Sequence, residues 1–513
     1  MNIKPQIRIV IIEIICLLYV LLFVYAATSK LLDFEHFRIE LGQSPLLSAF
    51  ADWISVLVPV VEYLTCLLIL IPRFRLAGLF CAYGLMVMFT AYIFIILKYT
   101  SFVPCSCGGV LEKLDWKSHM IFNTLFVCLA IAGILLYDKN KKNTSQFMLN
   151  GKLLGLFSLV TIIGISIVAL LFILSENIMH YHNKLTRRFP HSPVEQEAIL
   201  DLKLNSYYIA GVDSIHVYLG NVTAPLVVTT LDKQFQSIHK NMIEINKKNL
   251  PFRGIKVCVI PPYFFAADGT IPCIFRGKTD NWKAELVNQN GEYFTTVIPI
   301  DSVTIAVSTN SKKNGDNILG VIQIGNKTQT ILNPQILQKQ FDGVFDTDGH
   351  LLYSKDIQSI IYLYAYRNQF TISDKKLKII GRGTTIDTIS HAKLSIIKDQ
   401  KYNQRKFSKP PLFVNKDVTV YKNLLFVNSA IPGRYETDRM WKRTSVIDVY
   451  DLMNKTYILS FTLNDLDNRK VKKIVAHNNQ LYVLIGTHII RFKMDSQITS
   501  KYSKTNTNNL LAK

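Results

Sequence analysis

Long apolar runs fill the first third of the chain. Residues 7–28, 51–71, 75–97, 118–137 and 153–174 are each close to the roughly 20 residues that cross a bilayer as a helix. Between the first two runs, Leu31 to Leu47 mixes apolar and charged positions and reads as an amphipathic segment lying at the interface. The pattern changes after residue 204. From Tyr207 onward, short stretches rich in Ile, Val and Tyr alternate with Gly, Asn and Asp turns, and no helical period is sustained. Six strand pairs stand out: Tyr207–Ala210 with Ile215–Leu219, Tyr263–Ala266 with Ile271–Phe275, Val303–Val307 with Leu319–Ile324, Leu351–Tyr353 with Ile360–Tyr364, Leu424–Val427 with Val446–Tyr450, and Leu481–Ile485 with Ile489–Phe492. A repeat of roughly 40–50 residues built from short strands is the mark of a β-propeller blade. Six pairs imply six blades, and a separate blade around 387–397 makes seven. The last blade lacks an outer strand of its own, and the stretch near 196–204 is placed to supply it.

The predicted fold is therefore a membrane α-helical bundle, a four-helix core plus a fifth span, followed by an all-β propeller. The boundaries read as 1–140 for the bundle, 141–204 for the fifth span and linker, 205–494 for the propeller and 495–513 for a disordered polar tail. Composition agrees: 49% of residues are hydrophobic and mean hydropathy is +0.21. The net charge of +21 is uneven, with +4 in residues 1–174 and +17 beyond. No cluster of Lys and Arg interleaved with aromatics appears, so nucleic acid is not an expected partner, and the excess reads as solvated surface charge.

Five spans put the amino terminus and the 72–75 and 138–152 loops on one face, with Lys4, Arg8, Arg73, Arg75, Lys139, Lys141, Lys142 and Lys152. That bias places this face in the cytoplasm. An odd number of spans puts loop 98–117 and the carboxy-terminal domain together on the other face. The expected location is the inner (cell) membrane, multi-pass, with the propeller on the periplasmic side.

That loop carries the candidate chemistry, Val103-Pro104-Cys105-Ser106-Cys107-Gly108-Gly109. The Cα atoms of Cys105 and Cys107 sit about 6–7 Å apart in extended chain, the upper edge of disulfide geometry. A bond there closes a small strained ring, and strained disulfides tend to be the labile, catalytic ones. A redox pair, a structural disulfide, two idle thiols and half of a metal site are the readings open to it. Two carboxylates, Glu13 and Glu62, fall inside spans, where ionisable groups are costly and mark function by default. Glu13 lies near its span's start and reads as snorkelling. Glu62 lies mid-span after Pro59 and reads as an interhelical hydrogen bond or as a proton relay to the thiols. Cys16, Cys66, Cys81 and Cys128 read as small hydrophobes packed in the bundle. Cys258 and Cys273 fall on strands two apart, about 9–10 Å, and read as buried, unpaired thiols. His180, His182 and His191 sit in the linker without ligand spacing. Asp342, Asp346 and Asp348 form an incomplete calcium-type loop, and no metal is expected. Phe341–Gly349 and Tyr366–Gln369 are distinctive polar pieces suited to facing a partner.

Several of these pieces carry a resemblance: Tyr25-Ala26-Ala27-Thr28-Ser29-Lys30-Leu31-Leu32-Asp33 after the first span, Glu62 in the second, Pro104–Gly109 before the fourth, and Trp116 with Asn123 entering it. Together they resemble the MauE/DoxX family of redox-associated membrane proteins, over about residues 5–140. The resemblance implies a four-helix core and, by analogy with methylamine utilisation, disulfide formation in a partner. Members more often show Cys-Gly-Cys-Phe-Gly, so Ser106 and Gly108 depart from that form. The later half resembles six-bladed propellers fused to such membrane domains. The reading that follows is a thiol–disulfide redox protein with Cys105, Cys107 and Glu62 as site residues. Its partner is an extracytoplasmic protein with thiols or a disulfide, and its electron acceptor is a membrane quinone. The alternative is a membrane-tethered propeller module whose cysteine pair is structural.

Overall fold

The structure, a computed structural model, describes residues 5–44, 46–99, 116–142, 151–181, 185–289, 291–325, 328–399 and 404–503. The chain divides into two compact units, Met1–His191 with Arg434–Glu436, and Ser192–Gly433 with Thr437–Lys513.

The first unit is helical: α1 (Pro5–Leu32), α2 (Phe34–Gln43), α3 (Ala51–Leu70), α4 (Arg75–Tyr99), α5 (Trp116–Lys142) and α6 (Gly151–Tyr181). All but α2 are long and apolar enough to cross a membrane, which fits a multi-pass membrane protein. Helices α1, α3, α4 and α5 close a four-membered ring, and α6 packs on α4. That is the expected four-helix core with a fifth span.

Helix α3 shows how the bundle sorts its residues. Ala51, Ser55, Pro59, Glu62, Cys66 and Ile69 face inward, while Trp53, Val56, Leu57, Val60, Leu64 and Leu67 are exposed. Lipid is as apolar as leucine, so little is gained by hiding large aliphatic side chains. Small and polar residues therefore take the inside, where helices approach and hydrogen bonds form. Gly78 permits the tight turn into α4, since a Cβ there would lie 2.7 Å from the Ile69 backbone nitrogen. The shared core runs through Tyr19, Phe23, Cys66, Leu79, Tyr83, Met86, Phe126 and Ala130.

The second unit is a six-bladed propeller. Among the described residues its sheets are six blades of four antiparallel strands, one of them with an added parallel edge strand, plus a two-stranded hairpin. Each of the six predicted strand pairs is a neighbouring pair within one blade. The stretch at 387–397 builds no seventh blade: only Ile396 and Ile397 of it are strand, and they belong to that hairpin, Ile396–Asp399 with Gln404–Phe407, inserted between blades four and five.

Ring closure uses the strand that precedes the first blade. Val194–Asp201 pairs antiparallel with His488–Met494 and becomes the outer strand of the last blade. The junction is sealed by Val217, Leu219 and Leu231 of blade one against Tyr482, Leu484 and Ile489 of blade six. Residues 495–503, read as tail, are ordered. Asp495 caps the short helix Ser496–Thr499, and the Tyr502 hydroxyl donates to the Asn478 carbonyl.

Blades meet through their first strands. Side chains on those strands reach into the backbone of the next blade. The Val257 N–H donates to the Tyr208 hydroxyl at 2.7 Å, Cys258 Sγ lies 3.7 Å from the Val297 carbonyl, and the Ile474 N–H donates to Asp417 at 2.7 Å. Each contact satisfies a backbone group that no strand of its own blade can reach.

Candidate functional site

Glu62 is fully buried, and its partner is Lys30 in the last turn of α1. Lys30 Nζ donates to both carboxylate oxygens, at 2.7 and 3.0 Å. Glu62 is on the inner stripe of α3, and Lys30 continues the buried stripe of α1 that runs through Tyr19, Phe23 and Ala27. One position further along α3, the Tyr63 hydroxyl and Thr28 Oγ1 form a second tie between the two helices, at 2.8 Å. A charge at bilayer depth persists only when neutralised and hydrogen-bonded, and this pair meets both conditions.

The ion pair lines a cavity of about 280 Å³ inside the bundle. Leu22, Phe23 and Ala26 of α1, Phe37 and Leu41 of α2, Val58 and Val61 of α3, and Phe89 and Tyr92 of α4 form much of its wall. From α5 come Trp116, His119, Phe122 and Asn123, and α6 contributes Ile167, Val168 and Leu171. The amphipathic helix α2 thus turns Phe37 and Leu41, both 4% exposed, into the bundle. Four residues that carry the sequence resemblance, Lys30, Glu62, Trp116 and Asn123, come together on this wall. His119 was not singled out from sequence. It lies one turn from Trp116 and stacks on its ring, centroids 6.0 Å apart. The spacing 116, 119, 123 is the signal that was available, since it places all three on one helix face.

Cys105 and Cys107 lie outside the described residues. The segment that holds them joins the end of α4 at Tyr99 to the start of α5 at Trp116, and Trp116 belongs to the cavity wall. The other six cysteines are free. Cys16 and Cys66 are buried as expected, whereas Cys81 and Cys128 are exposed on the bundle's outer surface. Cys258 and Cys273 are unpaired. Glu13 does not simply snorkel: its carboxylate meets the Arg75 guanidinium at 2.6 Å.

His182 and the side chain of His180 lie outside the described residues. Among the described residues no group of three or more His, Cys, Asp and Glu side chains could hold a metal ion. In the calcium-type loop the carboxylates are committed to the protein itself. Asp346 accepts from the Gln340, Phe341 and Gly343 N–H groups, and Asp342 accepts from Val344, Phe345 and the Arg405 guanidinium. Of the distinctive polar pieces, Asp346 and Arg367 are fully buried, with the Arg367 guanidinium 3.7 Å from the Tyr364 ring centroid, whereas Phe341 and Asp348 are exposed.

Residues 8–136 match the family model of the methylamine utilisation protein MauE. The MauE-like segment therefore takes in α1 to most of α5, every helix of the four-membered ring, and all the polar residues of the cavity wall. Helix α6 and the propeller lie beyond it. No curated protein matches the chain. Among solved structures, a DUF4221 family member from Bacteroides vulgatus is 11% identical over 59% of this chain and 98% of its own, with a TM-score of 0.38. A protein of unknown function from Bacteroides thetaiotaomicron is 9% identical over 59% of this chain and 76% of its own, with a TM-score of 0.37. A chain of the nidogen/laminin complex is 10% identical over 50% and 78%, with a TM-score of 0.30. All three scores fall below 0.5.

Proposed function

We propose that this chain is an integral membrane thiol–disulfide redox protein in which the Cys105–Cys107 pair exchanges disulfides with an extracytoplasmic protein held by the propeller. The observation that carries this reading is the convergence of Lys30, Glu62, Trp116 and Asn123 on one buried wall within the MauE-like segment. A bundle serving only as an anchor has no need of an ion pair at bilayer depth, which is costly unless it has work to do. An odd number of crossings supports having the thiol segment and the propeller on one side of the membrane, where a partner bound by the propeller would meet the thiols.

In the exchange, a partner thiolate attacks one sulfur of the Cys105–Cys107 disulfide and forms a mixed disulfide. The partner's second thiol then displaces it, leaving the partner oxidised and the pair reduced. Glu62 with Lys30 forms the proton-handling group for reoxidation of the pair, and its electrons pass to a membrane-soluble acceptor.

The test is a trap. Cys105→Ser abolishes the internal disulfide; in the reverse exchange the Cys107 thiolate attacks the oxidised partner's disulfide, and with no Cys105 to displace the partner a mixed disulfide should accumulate as a heavier band on a non-reducing gel and vanish with reductant. Cys107→Ser is made in parallel. If neither variant traps an adduct and the double variant retains full partner oxidation, the pair is not the reactive centre, and the protein is a membrane-tethered propeller module.

A further inference from the structure

Part of the cavity has no task in the thiol exchange: His119 and the apolar walls around it. The cavity's volume of about 280 Å³ is nearly twice the roughly 150 Å³ that holds a single benzene in a protein core. Its walls are aromatic and aliphatic, broken at one side by Lys30, Glu62, His119 and Asn123. His119 is 9% exposed, and its Nδ1 has no hydrogen-bond partner among the described residues. A buried polar atom without a partner costs about 1–3 kcal/mol, so a ligand that satisfies it gains affinity there.

The charges narrow the ligand. Lys30 and Glu62 neutralise each other. The pair carries no net charge, so neither a lipid carboxylate nor an amine gains a counter-ion from it to offset its own desolvation. A bare acyl chain would leave His119 Nδ1 unsatisfied. The head group that fits is neutral, planar and carbonyl-bearing, able to lie against Phe and Trp rings and to accept from the His119 tautomer protonated at Nδ1. From these features we infer that the cavity binds the ring of a lipophilic quinone, with His119 and Asn123 as its hydrogen-bonding contacts.

The redox role of the ligand rests on the proposed thiol chemistry; the binding does not. In that role, two S–H bonds of Cys105 and Cys107 are broken and one S–S bond forms. The two electrons and two protons released reduce the quinone to a quinol, forming an O–H bond at each carbonyl oxygen. Glu62 and Lys30, which line the same cavity as His119 and Asn123, would be the groups to pass those protons.

The experiment is photo-crosslinking of the full-length protein in nanodiscs with an azido-substituted decylbenzoquinone, its adducts mapped by mass spectrometry. Label should fall on the α1, α3 and α5 residues of the cavity wall and be competed by unlabelled decylquinone. It should not be competed by decanol, which carries the same tail. His119→Leu should cut the labelling at least tenfold, His119→Gln should retain it, and helical content should be unchanged in both. Label confined to the outer surface of the bundle, equal competition by decanol, or indifference to His119→Leu would overturn the assignment. The Cys105→Ser/Cys107→Ser variant should label like the wild type. Undiminished labelling in a protein that traps no mixed disulfide therefore refutes the thiol reading alone, and a trapped partner without cavity labelling refutes the quinone site alone.

Discussion

Lys30 and Glu62, 32 residues apart on different helices, form a two-pronged ion pair with donor–acceptor distances of 2.7 and 3.0 Å in the interior of the bundle. The sequence offers each residue separately, one in a short motif after the first span and one in mid-span. Only their contact explains how either charge is tolerated.

Breaking this pair should be worse than removing it. Glu62→Leu strands a buried ammonium, and loss of one partner of a buried pair costs about 3–5 kcal/mol. Lys30→Met/Glu62→Leu replaces both by apolar groups and should recover most of that loss. Thermal melts of the detergent-solubilised protein decide the matter, and equal melting of the single and double variants would show that the two residues are not coupled. Glu62→Gln keeps an acceptor for Lys30 and should lower turnover more than it lowers stability.

Ring closure by Val194–Asp201 is open to a test on two adjacent residues. Leu200 packs into the junction with Val217, Leu219 and Tyr482, whereas Ile199 points the other way and is 45% exposed. Leu200→Ala should cost about 2 kcal/mol and lower the propeller's melting transition by several degrees, while Ile199→Ala should leave it almost unmoved. Comparable losses at both positions would mean that the strand is not seated in the ring as described.

The hydroxyl of Tyr208 accepts the Val257 N–H across the joint between the first two blades. Tyr208→Phe keeps the ring and removes the acceptor, so it should destabilise the propeller by about 1–3 kcal/mol. Hydrogen exchange at Val257 should rise with it. An unchanged exchange rate would place that amide's protection elsewhere.

Burial pushes the His350 imidazole below its ordinary value, against the opposing pull of Asp417 and Asp348 and with the help of Lys473. In the unfolded chain the same ring takes a proton near pH 6.5. The folded state therefore binds fewer protons, and the stability that His350 confers is complete above about pH 6.5 and declines as pH falls below it. His350→Gln should shrink the fall in propeller melting temperature between pH 7.5 and 5.5. An identical fall in the variant would remove His350 from the acid response.

Topology gives a further test. A reporter fused at the carboxy terminus should be active only outside the cytoplasm. Cytoplasmic activity would reverse the orientation and put the thiol segment in a reducing compartment, where a persistent disulfide is not expected.

The five spans and the six strand pairs were legible in the sequence because each follows from a local pattern: apolar length for a helix in lipid, and short β-rich stretches between turns for a blade. Glu62 was legible because a charge in an apolar run is conspicuous, and Trp116 and Asn123 stood out only through the family resemblance. Which residues meet was not legible. Local periodicity says which way a side chain faces along its own helix or strand, but contacts between distant elements depend on how those elements cross. Hence Lys30 found Glu62, Glu13 found Arg75 and His119 joined the cavity only once the chain had folded, whereas the closing strand at Val194–Asp201 was anticipated because the last blade lacked an outer strand of its own. The stretch at 396–407 marks the same limit. A strand was read at 387–397, but its true extent and its partner at Gln404–Phe407 were not, and the ring closed at six without them.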